Sequence, residues 1–203
     1  MKLPADLTLS TITQLYSPPK EHNQVATSAY VKSFIDYCPG ILRNALYNSK
    51  PARELSEGTK DDIPKVIREL ATNYPNAPTN LLICGKPRTH KTLLACTLCL
   101  HVMQTKTCSG YYMELIDYKD QRTIDRATLA GCLVLDEVVL DYNYPDWQLE
   151  TANRLLSKRA REGLPTIIVA SATPAFVAQK LGKALIDRLV TAQQTLELNN
   201  DDS

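Results

Sequence analysis

Eight residues, Gly85-Lys86-Pro87-Arg88-Thr89-His90-Lys91-Thr92, sit between an apolar run at 81–84 and a helical pattern that opens at Lys91. They fit the phosphate-loop pattern G-x-x-x-x-G-K-[ST] at every fixed position but one, where His90 stands instead of glycine. Such a loop works only between a strand and a helix, because it turns backbone N–H groups and the positive end of the helix toward phosphate. A chain that carries it must build a sheet with a buried strand ending at the loop. In that setting Lys91 serves the outer phosphates and the Thr92 hydroxyl serves Mg²⁺. The alternative is a basic strand-to-helix turn that holds no ligand.

His90 puts a β-carbon where backbone and phosphate approach closely. If the backbone there must be left-handed, that carbon costs about 1–2 kcal/mol, roughly ten-fold in affinity. Glycine is scarce throughout, with seven in 203 residues, about half of average usage. Against the strain, Lys86, Arg88 and Lys91 place three cations within the eight residues, so attraction for an anion persists.

The rest of the chain supplies the sheet that the loop demands. Apolar runs at 81–84, 132–135 and 166–169, with strand-like segments at 111–115 and 195–198, alternate with helical patterns at 91–103, 147–161 and 174–181 and polar helical sequence up to 128. Continuous apolar runs separated by helices read as a parallel sheet covered on both faces, an α/β class. The run Leu133-Val134-Leu135 ends in Asp136-Glu137, about 45 residues after the loop. Packing gives a buried strand no reason to end in two carboxylates. Behind a phosphate loop, Asp136 orients Mg²⁺ and Glu137 polarises the attacking water.

Ahead of the sheet, residues 1 to about 47 mix short apolar groups with breakers such as Ser17-Pro18-Pro19 and Pro39-Gly40, and a polar stretch follows at 48–62. Val25, Ala29, Phe34 and Ile35, then Ile41, Leu42, Ala45 and Leu46, form two patches near helical spacing. They are too few for an independent core, so a helical module over 1–60 leans on a partner or on the rest of the chain. Asp61-Asp62 with Pro64 mark a helix start at the head of a second unit, 61–203.

The balance of 23 basic and 22 acidic residues excludes a strongly cationic nucleic-acid binder, so any nucleic-acid contact must be local. No apolar run approaches the ~18 residues of a membrane span, and the first residues lack the apolar core of a signal peptide, which points to the cytoplasm and no membrane partner. Of the six cysteines, Cys84 and Cys132 fall in strand-like runs, and Cys96 and Cys99 in a helical pattern without a second pair or histidine cluster. They read as buried reduced thiols rather than metal ligands. His22 and His101 have no acid or cysteine at ligand spacing and receive no chemistry.

On these residues the chain resembles the DnaC/IstB-like branch of AAA+ ATPases, which contains bacterial helicase loaders and transposition helpers. The resemblance runs from about Ile67 to Leu198. It rests on Asn80-Leu81-Leu82-Ile83-Cys84-Gly85-Lys86-Pro87, on Val134-Leu135-Asp136-Glu137, on Arg161-Glu162-Gly163-Leu164-Pro165-Thr166-Ile167-Ile168 and on Leu181-Gly182-Lys183-Ala184-Leu185-Ile186-Asp187-Arg188-Leu189. It implies an AAA+ P-loop three-layer sandwich with a five-stranded parallel sheet, and ATP and Mg²⁺ as cofactors. Arg188 becomes an arginine finger acting on a neighbouring subunit's nucleotide, and Ser171 takes the polar sensor position. The family has asparagine there, and serine has a shorter reach. Arg88 stands where the family has a further loop glycine. The chain ends soon after Leu198, which leaves no room for a C-terminal lid domain. Together these departures imply a weak ATPase, more secure in nucleotide binding than in hydrolysis.

The resemblance further implies a helicase loader, bacterial or phage-borne. Residues 1–60 would dock on a replicative helicase, and the AAA+ core would assemble side by side on single-stranded DNA through nucleotide-bridged interfaces. A transposition helper that delivers target DNA to a transposase, and a nucleotide-blind helicase-binding protein on the same fold, are the alternatives. Two basic sets are candidates for the DNA. Arg154, Lys158 and Arg161 share a helix face, which also reads as a solvated surface. Tyr118, Lys119, Arg122 and Arg126, with Tyr111 and Tyr112 before them, could stack bases and hold phosphates, although alternate tyrosines in a strand also serve as packing. The single tryptophan, Trp147, reads as core packing, with a subunit contact as the alternative.

Overall fold

A strand made of consecutive apolar residues is stable only when both of its faces are covered, and that condition shapes the whole molecule. The computed structural model describes residues 2–3, 24–40, 43, 69–70, 72–115, 120–138, 145–190 and 194–198. The strands are β1 (Lys2–Leu3), β2 (Leu81–Gly85), β3 (Gly110–Glu114), β4 (Cys132–Asp136), β5 (Thr166–Ala170) and β6 (Thr195–Leu198). The helices are α1 (Gln24–Tyr37), α2 (Lys91–Lys106), α3 (Gln121–Leu129), α4 (Asp146–Arg161), α5 (Pro174–Leu181) and α6 (Lys183–Leu189). The sheet order is β1-β6-β2-β5-β4-β3 and every pairing is parallel. The five parallel strands expected from the sequence are all present, and the two-residue β1 extends them beside β6.

Alternation within the strands divides the core. Ile83, Val134, Val169 and Leu196 face α1 and α2, while Leu82, Leu133, Ile168 and Ala170 face α3 to α6. The result is a three-layer α/β/α sandwich. Helix α2 is buried along most of its length, from Leu93 to Leu100 without a break. That burial fits a helix which is apolar all round and covered on its outer side as well. The cover is α1, whose Phe34 and Ile35, together with Cys38 just beyond it, are at most 2% exposed and join the same cluster. The described part of the N-terminal stretch thus leans on the rest of the chain. Its second apolar patch, at 41–46, and the helix start at Asp61 lie outside the described residues.

Two readings change. Trp147 is 54% exposed in the first turn of α4 rather than buried in the core. The inward positions of α4 fall to Gln148, Ala152, Leu155, Leu156 and Arg159, a helical stripe that leaves Trp147 facing outward. The stretch after Leu181, read without an element of its own, folds as α6. Gly182 sits between the two helices at φ 93, a left-handed angle that suits glycine.

Arg159 is the one cation of the basic cluster on α4 that turns inward, and it is fully buried. Its guanidinium donates from Nε to Thr166 Oγ1 (2.9 Å), from Nη1 to the carbonyls of Ala127 (2.8 Å), Thr128 (3.3 Å) and Ala130 (2.7 Å), and from Nη2 to the Pro165 carbonyl (2.7 Å). One side chain thereby joins the end of α3, helix α4 and the start of β5. Burial pulls the guanidinium down to about 10, which still leaves it charged at neutral pH. Arg159→Met should lower the unfolding free energy by about 3–5 kcal/mol, because it orphans several buried carbonyls. Urea denaturation measures this, and a loss below about 1 kcal/mol would show that those carbonyls find other donors.

Candidate functional site

The carboxyl ends of β2, β5 and β4 stand side by side with β5 in the middle, the end of an open parallel sheet at which ligands bind. The phosphate-loop residues leave β2, Ser171 follows β5, and Asp136 closes β4. Pro87 to Thr92, Asp136, Glu137 and Ser171 line one cleft of about 390 Å³. Sequence positions some 45 residues apart are therefore brought to one place. Gly85 and Lys86 border an adjoining cavity of about 310 Å³, with Pro87 and Ser171 shared between the two. Gly85 itself is required by its surroundings: at φ 146 a β-carbon would run into the carbonyl of Leu198 on β6.

Within the loop, Arg88 has φ 65 and His90 has φ 57 with ψ 22. Both positions where the resembled family has glycine keep the left-handed backbone without it, at about 1–2 kcal/mol each. His90 precedes α2 with no side-chain hydrogen bond to the helix, so the first-turn N–H groups keep their donor capacity toward the cleft. Lys91 is 5% exposed. Its Nζ donates to the Lys86 carbonyl (2.5 Å) and to Thr89 Oγ1 (3.2 Å), and the Thr89 hydroxyl donates to the same carbonyl (2.9 Å). Burial lowers the Lys91 ammonium while the Asp136 carboxylate opposes that shift.

Asp136 is 3% exposed. Burial raises its carboxyl, opposed by the Glu137 N–H, the Thr92 and Tyr112 hydroxyls and the Lys91 charge. Two of these contacts are short: Glu137 N–H donates to Oδ1 at 2.7 Å and the Tyr112 hydroxyl to Oδ2 at 2.9 Å. Glu137 is exposed and left-handed at φ 47, an unusual backbone for a non-glycine residue and one that clusters at functional sites. Thr92 and Asp136 are hard oxygen donors in contact, the kind of pair that holds Mg²⁺ when phosphates complete its shell. Among the described residues no group of three or more His, Cys, Asp or Glu forms a metal cage of its own.

Five residues of the cleft were not anticipated as site residues, and two of them, Leu93 and Val169, are apolar lining. Tyr112 and Glu114 come from β3, on the strand face that carries Val134 and Asp136 in the neighbouring strand. The signal was their alternate spacing beside a strand ending in Asp136. Tyr112, read with the DNA set, is 5% exposed and bonded to Asp136, so it is not free to stack bases. Pro39, which enters just beyond α1, carries no sequence signal for this place.

The other predicted residues that the structure describes do not line the cleft. Arg188 is exposed on α6. Arg122 and Arg126 lie in a separate groove of about 470 Å³ with Tyr30, Tyr37 and Tyr111. There Arg126 donates to the Tyr37 hydroxyl (2.8 Å) and lies over its ring. Tyr118 and Lys119 lie outside the described residues. Arg154, Lys158 and Arg161 are exposed on α4, where Arg154 pairs with Glu150 at 3.2 Å. Five of the six cysteines are buried, and the Cys38 and Cys96 sulfurs lie 3.8 Å apart between the end of α1 and α2. No helix among the described residues is long and apolar enough to cross a membrane.

No family model and no curated protein matches the chain. Solved structures do. The DnaC helicase loader aligns with a TM-score of 0.53 at 21% identity, covering 84% of this chain and 98% of that one. DnaI aligns at 0.51 and 14%, covering 72% and 86%. Domain III of the Thermotoga maritima replication initiation protein DnaA aligns at 0.51 and 15%, covering 71% and 63%. The chain shares its fold with the DnaC helicase loader. Since left-handed strain outweighs the extra freedom that glycine brings to the unfolded chain, His90→Gly should raise the unfolding free energy by about 0.5–1 kcal/mol. Urea titration reads the change, and a decrease would mean that the His90 side chain contributes more than its backbone costs.

Proposed function

We propose that this protein is an ATP-binding AAA+ helicase loader, with ATP held between subunits as an assembly switch. The observation that carries the reading is the convergence of Lys91, Thr92 and Asp136 on one cleft, in a chain whose fold follows 98% of the solved DnaC helicase loader chain. Backbone N–H groups at the head of α2 and the Lys91 ammonium bind the phosphates. Thr92 and Asp136 would hold Mg²⁺, which when bound neutralises phosphate charge. Glu137 orients the attacking water. Ser171 reaches toward the outer phosphate with one short hydroxyl, so turnover is slow. Arg188 of one subunit completes the site of the next, and contacts to the outer phosphate from both sides favour the assembled state. The N-terminal stretch, 1–60, docks on a replicative helicase. Single-stranded DNA runs past the basic sets on α3 and α4.

Calorimetry with ATP and Mg²⁺ tests the core of this. Lys91→Ala should weaken binding at least ten-fold, as expected for loss of a charge-assisted contact. Sizing by light scattering should show an ATP-dependent rise in oligomer mass that Arg188→Ala abolishes. Absence of binding in the intact protein, with Lys91→Ala indistinguishable from it, would favour the nucleotide-blind helicase-binding reading that the His90 and Ser171 departures motivate. Capture of a transposase in place of a hexameric helicase would favour the transposition helper.

A further inference from the structure

Tyr112 has no part in the nucleotide chemistry described so far, yet it touches the most buried acid of the site. It lies in the middle of β3, and its hydroxyl reaches across to Asp136 Oδ2 at the end of the neighbouring β4 at 2.9 Å and along its own strand to Glu114 Oε1 at 3.3 Å. Phenylalanine would satisfy a purely apolar position there. A buried phenol instead needs a partner for its hydroxyl, and here the partner is the carboxylate at the end of β4. That carboxylate is gripped on both oxygens from different parts of the backbone, since Oδ1 takes the Glu137 N–H at 2.7 Å.

Carboxylate rotation about its last torsion is soft, with broad and roughly two-fold preferences. Two donors on opposite oxygens remove that freedom and fix which lone pairs face the Thr92 hydroxyl. We propose that Tyr112 is a positioning residue that sets the Asp136 carboxylate for a divalent cation shared with Thr92 and the nucleotide phosphates. This rests on the nucleotide-site reading above. Tyr112 acts through Asp136 and touches neither cation nor phosphate. Partners of this kind around a metal ligand typically change metal affinity by 10–100-fold when removed.

The test compares wild type with Tyr112→Phe, which keeps the ring and deletes one hydroxyl. ATP affinity is measured by calorimetry in EDTA and then across a Mg²⁺ titration. The expected result is an EDTA affinity within about two-fold of wild type, with the Mg²⁺ concentration for half-maximal tightening raised roughly ten-fold. An unchanged Mg²⁺ requirement would overturn the proposal. So would a lowered one, because the phenol would then be competing with the cation. Equal weakening with and without Mg²⁺ would place the hydroxyl in the fold rather than in cation positioning, and overturns it too. A wild-type protein that binds no ATP in either condition would remove the nucleotide site itself, a failure distinct from these because it shows before any variant is compared.

Discussion

Parallel pairing of β2 with β5 and of β5 with β4 sets three carboxyl ends in a row, and everything chemical in the molecule depends on that row. The phosphate loop, Ser171 and Asp136 each leave or close a strand at this edge. Each strand is anchored by apolar residues on both faces, so the positions of the loop and the acid are set by the core rather than by the loops. The αL backbone at Arg88 and His90 is affordable in that setting, since a rigid strand before it and a buried helix after it hold the turn in place.

The opposite end of the sheet is organised differently. There Arg159 collects carbonyls from the approaches to β4 and β5. A fully buried guanidinium satisfied by carbonyls and one hydroxyl is a stabilising element with no access to a ligand. One end of the sandwich is thus closed by a cation that never meets solvent, and the other keeps its cations at a cleft. The two ends use the same residue chemistry for different purposes, and burial decides which.

Much of this was legible in the chain. The runs at 81–84, 132–135 and 166–169 specify a covered parallel sheet because they do not alternate, and the turn from Cys84 to Lys91 specifies where its loop lies. Less legible were features set by register between distant strands. Tyr112 meets Asp136 because β3 pairs with β4 so that Glu114 stands opposite Asp136, which no local pattern states. Arg159 falls in the same run of cations as Arg154, Lys158 and Arg161. Only its place on the stripe of Ala152, Leu155 and Leu156 distinguishes it. Trp147 failed the opposite way, since a large aromatic invites burial and the helix phase denies it.

Pro39 gives the cleft a wall that belongs to neither the phosphate loop nor the sheet. It follows α1, which is seated on α2 and β3 through Phe34, Ile35 and Cys38. The helix that leads out of the phosphate loop and the segment that precedes the sheet therefore share one boundary with the cleft. Any coupling between a molecule that grips α1 and a molecule that fills the cleft would pass through this shared boundary and would be reciprocal. Whatever free energy the first lends to the second, the second returns to the first.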